Sequence, residues 1–234
     1  MDNHQKLYYH NVLNTLESVF LTQQEAIEQA ATVFADTVRH QGIIYGFGSG
    51  HSFAAGVELA GRAGGLVNTR ALDQFYGHMG WLDSIEGCGD VFSRLIDLRE
   101  HDSFVIVSNS GTKPLHVELA RNIHARGNKV IAITGGQHHA DLSLEGISKY
   151  ADVIINNASP KQDCTLSIDN DRIMTGPVSS ISNAYIINSI VIECIDILLA
   201  AGITPPVMRS INQPGGKEYN ETLLAQYRER VFTV

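Results

Sequence analysis

Cysteine is scarce in this 234-residue sequence: there are three, Cys88, Cys164 and Cys194, and no two are close in the chain. An odd, widely spaced set fits neither a disulfide framework nor a zinc knuckle, so reduced thiols are expected. Also lacking is any block of lysine and arginine, and the formal net charge is −8. Nucleic acids and anionic membranes need a concentrated basic face, so neither is expected as a partner. The opening MDNHQKLYYHNVLNTLESVF has no basic segment leading into an apolar core. It does not read as a signal peptide, and a cytoplasmic location is expected. No long apolar run is free of charge. The most apolar segment, Ala184 to Ile203, carries Asn188, Glu193 and Asp196. Acidic groups deep in a bilayer cost roughly 2.5–3.5 kcal/mol each, so it reads as a buried or interfacial helix. Internal repeats and low-complexity linkers are absent as well.

What is present is a 44% hydrophobic chain, enough for a full core. Leu13, Leu16, Val19 and Phe20, then Ile27, Ala30, Ala31, Phe34 and Val38, recur at helical spacing. From Ile43 the chain alternates. Strands are expected at 43–48, 66–71, 103–108, 129–134 and 153–156. Helices are expected at 51–63, ended by Gly64-Gly65, and at 91–98, 114–125, 179–201 and 223–231. Pro114 suits a first helical turn, where its missing N–H does no harm. The strands are continuous apolar runs, as in a parallel sheet buried on both faces. The pattern predicts a three-layer α/β/α sandwich with a five-stranded parallel sheet. It divides into N-terminal helices (1–40), the sandwich (41–203) and a C-terminal tail with a short helix (204–234).

Three strands run into turns of small polar residues: GFGSGHS (46–52), SNSGT (108–112) and TGG (134–136). Glycines let backbone N–H groups approach an anion, hydroxyls add donors, and a helix start adds partial positive charge. Ligands of such sheets sit at the carboxyl ends of the strands. The first turn has no Walker lysine, which argues against a nucleoside triphosphatase. In a dinucleotide fingerprint begun at Gly46 the third glycine would fall on His51, and no acidic residue ends the second strand region, 66–71, near position 70. A phosphomonoester remains.

GFGSGHS followed by ELAGR, and VIVSNSGTKP followed by NKVIAITG, resemble the SIS (sugar isomerase) domain over about Gln41 to Asn157. The whole chain is similar to single-domain SIS proteins that share GHS, RAGGL, SNSG, GPVSS and an RS-x-N-x-PGG tail, here Arg209 to Gly216. The resemblance implies a flavodoxin-like, Rossmann-like fold. It also implies a phosphorylated sugar as small-molecule partner and a homodimer or homotetramer. The activity it implies is an aldose–ketose phosphosugar isomerase. The alternatives are a non-catalytic phosphosugar sensor, or a lyase, etherase or deaminase on an amino-sugar phosphate. Ser108 and Ser110 match the family's phosphate-binding serines, with Asn109, Gly111 and Thr112 completing that loop. Gly48, Ser49, Gly50 and Ser52 are expected to face the same phosphate, in a register open by a residue or two. Glu58 matches an acid/base glutamate.

The residues give a compatible picture. On one helix, His51 and Glu58 would share a face about 10 Å apart along the axis. Either can move a proton between adjacent carbons in a closed pocket, so both are catalytic candidates. Arg62, four residues on from Glu58, is placed to pair with it. Arg62, His78, Arg209 and Asn212 are possible pocket residues, and Trp81 is a possible wall. His138 and His139 read as solvated surface. No metal or cofactor is expected, because the resemblance departs where zinc-dependent heptose isomerases bind theirs. Ala54 stands where they have histidine, and Ser179–Ala201 has none, offering Ser182, Asn183, Asn188 and Glu193 instead.

Overall fold

The computed structural model describes residues 3–72, 81–136 and 145–231. The N-terminal extension is two helices, α1 (His4–Thr22) and α2 (Gln24–Arg39). The Asn3 side chain accepts the Lys6 N–H and starts α1. Five strands follow: β1 (Ile44–Gly48), β2 (Thr69–Leu72), β3 (Ser103–Val107), β4 (Lys129–Thr134) and β5 (Val153–Asn156). All pair parallel, in the order β2-β1-β3-β4-β5. The helices between them are α3 (Phe53–Leu59), α4 (Cys88–Leu95) and α5 (Pro114–Ala125). A long helix, α6 (Ser179–Ala200), comes after the sheet.

Side chains alternate across the pleat, so one apolar run feeds two cores. Ile44, Val105, Ile131 and Val153 pack with α2, α3 and α6. Ile43, Tyr45, Phe104, Ile106 and Val130 pack with α4 and α5. This is the expected three-layer sandwich. By length and composition α6 would pass for a membrane-crossing helix. Its Ile186, Ile187, Ile190, Cys194 and Leu198 are instead buried in the first core.

Several boundaries depart from expectation. The helix expected over 51–63 is only α3, preceded by a tight turn at Gly50–Ser52. His51 and Glu58 therefore do not share one helix face. Gly64 and Val67 instead donate to the Met208 and Pro206 carbonyls of the tail, and Leu66 bridges Val207. Strand β2 accordingly starts later than expected. Helix α4 begins earlier because the Glu118 carboxylate on α5 accepts the Gly87 and Gly89 N–H groups, at 2.7 and 2.8 Å. The C-terminal helix is α7 (Gly216–Leu224), and the segment 223–231 is not helical as a whole. Asn220 pins α7 by bonding both the N–H and the C=O of Arg209, each at 2.8 Å.

An antiparallel hairpin, β6 (Cys164–Ile168) and β7 (Ile173–Pro177), stands outside the expected elements. Its turn puts Asp169, Asn170 and Asp171 in the left-handed region. Short polar side chains tolerate that region best. Helix α1 is tied to the hairpin by Tyr8 Oη to the Pro177 carbonyl (2.6 Å) and Asn11 Nδ2 to the Thr165 carbonyl (3.0 Å).

Candidate functional site

The strand order reverses between β1 and β3: the chain leaves β1 towards β2, and leaves β3 towards β4 and β5. Connections diverge there, and in open α/β sheets the carboxyl ends of two such neighbours are where a ligand crevice forms. The GFGSGHS turn stands over one and the SNSGT turn over the other.

On the β3 side, Ser108 is buried, and its Oγ accepts the Gly111 N–H at 3.2 Å. Gly111 has φ +66°, a conformation that lets the chain turn at once towards α5. Its carbonyl accepts the Ile147 N–H at 2.8 Å. The Asn109 carbonyl accepts the Gly135 N–H at 3.1 Å, which ties this loop to the turn after β4. The Asn109 side chain accepts Asn157 Nδ2 (2.8 Å), and Asn157 also donates to Asn183 on α6 (2.9 Å). Ser110 is half-buried and Thr112 exposed. Thr112 lines a cavity of about 360 Å³ with Glu86, Glu118, Arg121 and Glu145. Lys113 then caps α5, with Pro114 in the first turn.

On the β1 side, Gly48 is irreplaceable in shape. A Cβ there would stand 2.4 Å from the Ser52 carbonyl oxygen, because the turn folds back on the strand end. Ser49, Gly50 and Ser52 are half-buried, while His51 is exposed. The Ser49 hydroxyl donates to Asp83 Oδ2 at 2.9 Å. Asp83 is only 8% exposed. Its other oxygen accepts the Ser84 hydroxyl at 3.1 Å and faces Lys113 Nζ at 3.6 Å. Lys113 Nζ also donates to Ser84 Oγ at 2.9 Å. The crevice is thus spanned by Ser49, Asp83 and Lys113, two of which sequence patterns did not single out. Beneath them His116, in the first turn of α5, is 2% exposed, with neither ring nitrogen hydrogen-bonded. Burial pushes its imidazole down to about 4, against the pull of the Asp83 charge.

Glu58 lies about 8 Å along α3 from its start at Phe53. Its carboxylate pairs with Arg62 and accepts Asn188 Nδ2 from α6 at 2.6 Å. Asn188 is one of the polar residues α6 carries in place of histidine. Arg209 stacks its guanidinium 3.8 Å above the Tyr219 ring, within the tail. Asn212 is exposed, and its N–H donates to Ser210 Oγ. Trp81 is 74% exposed. His78, His138 and His139 lie outside the described residues. Among the described residues, no group of three or more His, Cys, Asp and Glu side chains stands together as a metal site.

Residues 7–135 match the model of the SIS domain. The chain is 37% identical over 221 residues to the UPF0309 protein lmo0025 of Listeria monocytogenes, covering 92% of this chain and 94% of that one. Among solved structures, the phosphoheptose isomerase GmhA from Neisseria gonorrhoeae superposes with a TM-score of 0.60 at 22% identity, over 83% of this chain and 97% of that one. The Vibrio vulnificus NanR protein complexed with ManNAc-6P superposes with a TM-score of 0.52 at 12% identity, over 100% of this chain and 72% of that one.

Proposed function

The chain belongs to the SIS domain family, and from that premise we propose that it binds a phosphorylated sugar at the β1/β3 crevice and isomerises it between aldose and ketose forms. The observation that carries the proposal is that two hydroxyl-lined turns stand at the carboxyl ends of the neighbouring strands β1 and β3, linked through Ser49, Asp83 and Lys113, with the start of α5 behind the second. In this reading the phosphate lies against Ser108, Asn109, Ser110, Gly111 and Thr112. Backbone N–H groups and the dipole of α5 add to the serine hydroxyls. Gly48, Ser49, Gly50 and Ser52 close the other side. Residues 41–203 form the binding domain, 1–40 the helical extension and 204–234 the strap. The protein works in the cytosol as a homodimer or homotetramer.

Aldose–ketose exchange moves a proton between neighbouring carbons through an enediol, which requires a positioned base. Glu58 has that role here: Arg62 and Asn188 hold its carboxylate in one orientation. His51 is the second candidate, since it stands exposed on the turn at the crevice.

A thermal-shift screen over hexose, hexosamine and pentose phosphates, with NMR of each hit, tests both parts. Ser108→Ala and Ser110→Ala should abolish the shifts without unfolding the protein. Glu58→Gln should keep binding and lower turnover about a hundred- to ten-thousandfold, the range for a lost general base. A second reading, sensing without turnover, is favoured by one feature: both hydrogen-bonding partners of Glu58 already engage its carboxylate. It predicts hits that never convert, and Glu58→Gln then changes nothing but stability.

A further inference from the structure

Asp83 is a carboxylate where the proposed ligand carries its own anion. It sits at the topological switch point, bonded to the Ser49 hydroxyl on the β1 turn and facing the Lys113 ammonium that follows the β3 loop. These are the groups a phosphate in this crevice would take: a hydroxyl donor from one turn and a cation from the other. Lys113 is the residue directly after Thr112 and its backbone caps α5, while its ammonium reaches Ser84 and Asp83. Its hold on Asp83 is loose. The 3.6 Å separation exceeds a hydrogen bond, and its short contact is with the neutral Ser84 hydroxyl. A second observation comes from below. His116 is buried within electrostatic reach of both Asp83 and Lys113, yet both its ring nitrogens are unpartnered. Unsatisfied buried polar groups are rare in native structures, and each calls for a specific role.

We propose that Asp83 is a built-in competitor of the phosphate: its carboxylate holds Ser49 and Lys113, and a phosphomonoester binds by taking both from it. This rests on the phosphosugar reading and adds to it a new ligand-binding residue, Lys113, and a new specificity residue, Asp83. A neutral sugar cannot take Lys113 and leaves the Asp83 contact closed. A dianionic phosphate outcompetes a single carboxylate, offering more acceptor oxygens and more charge. The device therefore selects phosphorylated over free sugars, at the cost of weaker phosphate binding than the crevice would otherwise give.

The test is titration of the full-length protein with inorganic phosphate, by calorimetry, in four forms: wild type, Asp83→Asn, Lys113→Met and the double variant. Asparagine keeps the shape and an acceptor for Ser49, and circular dichroism confirms that each variant folds. Asp83→Asn should tighten phosphate about tenfold and Lys113→Met weaken it about tenfold, the scale of one charge-assisted hydrogen bond. In the Lys113→Met background the gain from Asp83→Asn should shrink to under about threefold, because no cation is left to release. Ser84→Ala, which frees Lys113 without changing charge, should tighten binding by about two- to threefold. Equal gains from Asp83→Asn in both backgrounds would reduce Asp83 to a distant repulsive charge and overturn the proposal. So would phosphate binding that Ser110→Ala abolishes but Asp83→Asn and Lys113→Met leave untouched. In that outcome the phosphosugar reading stands. Absence of any phosphate or sugar-phosphate binding to wild type overturns the reading itself.

Discussion

Two buried aspartates at opposite ends of the sheet are held in opposite ways. Asp102, at the amino ends of the strands, accepts the Ile43 N–H (2.8 Å), the Arg99 N–H (2.7 Å) and both Arg230 terminal nitrogens (3.0 and 2.5 Å). Four donors, two of them backbone, tie the tail to the sheet and leave no lone pair to spare. Asp83, at the carboxyl ends, has two hydroxyl donors and a cation out of hydrogen-bond range. A saturated carboxylate is architecture. A lightly held one beside two glycine-serine turns can exchange partners. The contrast also explains why cavity size is a poor guide here. A groove of about 530 Å³ lies at the Asp102 end, lined by His40, His101, Arg99 and the segment 225–230. Topology places ligands at the other end.

The comparison can be broken or sharpened by experiment. The largest effect is expected from Asp102→Ala, which strands a half-buried Arg230 and two backbone N–H groups. Unfolding in urea should show a loss of about 3–5 kcal/mol, the usual cost of breaking a buried pair from one side. A loss under about 1 kcal/mol would place Asp102 in the same class as Asp83. Next comes acid. His116 in the folded chain is held down to about 4 from an ordinary 6.5, so between these values the unfolded chain binds the extra proton. Stability should therefore fall as pH drops from 6.5 to about 4, by on the order of 3 kcal/mol from this group, and level off below. In His116→Leu that part of the slope should vanish, with stability at pH 7 kept or raised, since no hydrogen bond is lost. Denaturant melts across that range check both. Smaller is Gly111→Ala. A Cβ at φ +66° costs about 1–2 kcal/mol and distorts the serine loop, so sugar-phosphate affinity should drop more than the melting temperature suggests. Smallest is Asp83→Asn, expected to shift folding stability by under about 1 kcal/mol, measured against Asp102→Ala in the same urea series.

Much of this fold was legible in the residues. Four of the five sheet strands are apolar runs that announce themselves locally, whereas β2, with Thr69 and Arg70, starts later than its apolar signal; α5 is legible at both ends because Pro114 opens it and Gly127 follows it. The serine turns were legible for the same reason: glycine and serine are chosen for local backbone and hydroxyl geometry. The hairpin β6–β7 was missed although its signal, Asp169-Asn170-Asp171, stands in the sequence between two weakly apolar runs. Helix α3 is shorter than its periodicity, which continues over 51–63 past Leu59. The contest there is settled by backbone bonds to the distant tail.

The sequence by itself therefore determined the layers, the presence of the parallel sheet and the two hydroxyl-bearing turns, since each depends on patterns a few residues long. The Glu58–Arg62 pair follows from helical spacing, but tertiary structure alone decided which remote polar groups meet. Ser49 finds Asp83 across 34 residues, Asn188 finds Glu58 across 130, and Arg230 finds Asp102 across 128. Such pairings have no local signature. They exist because a parallel sheet with reversing strand order brings remote loops to the same end, where desolvation leaves each buried charge dependent on whatever partner the fold delivers.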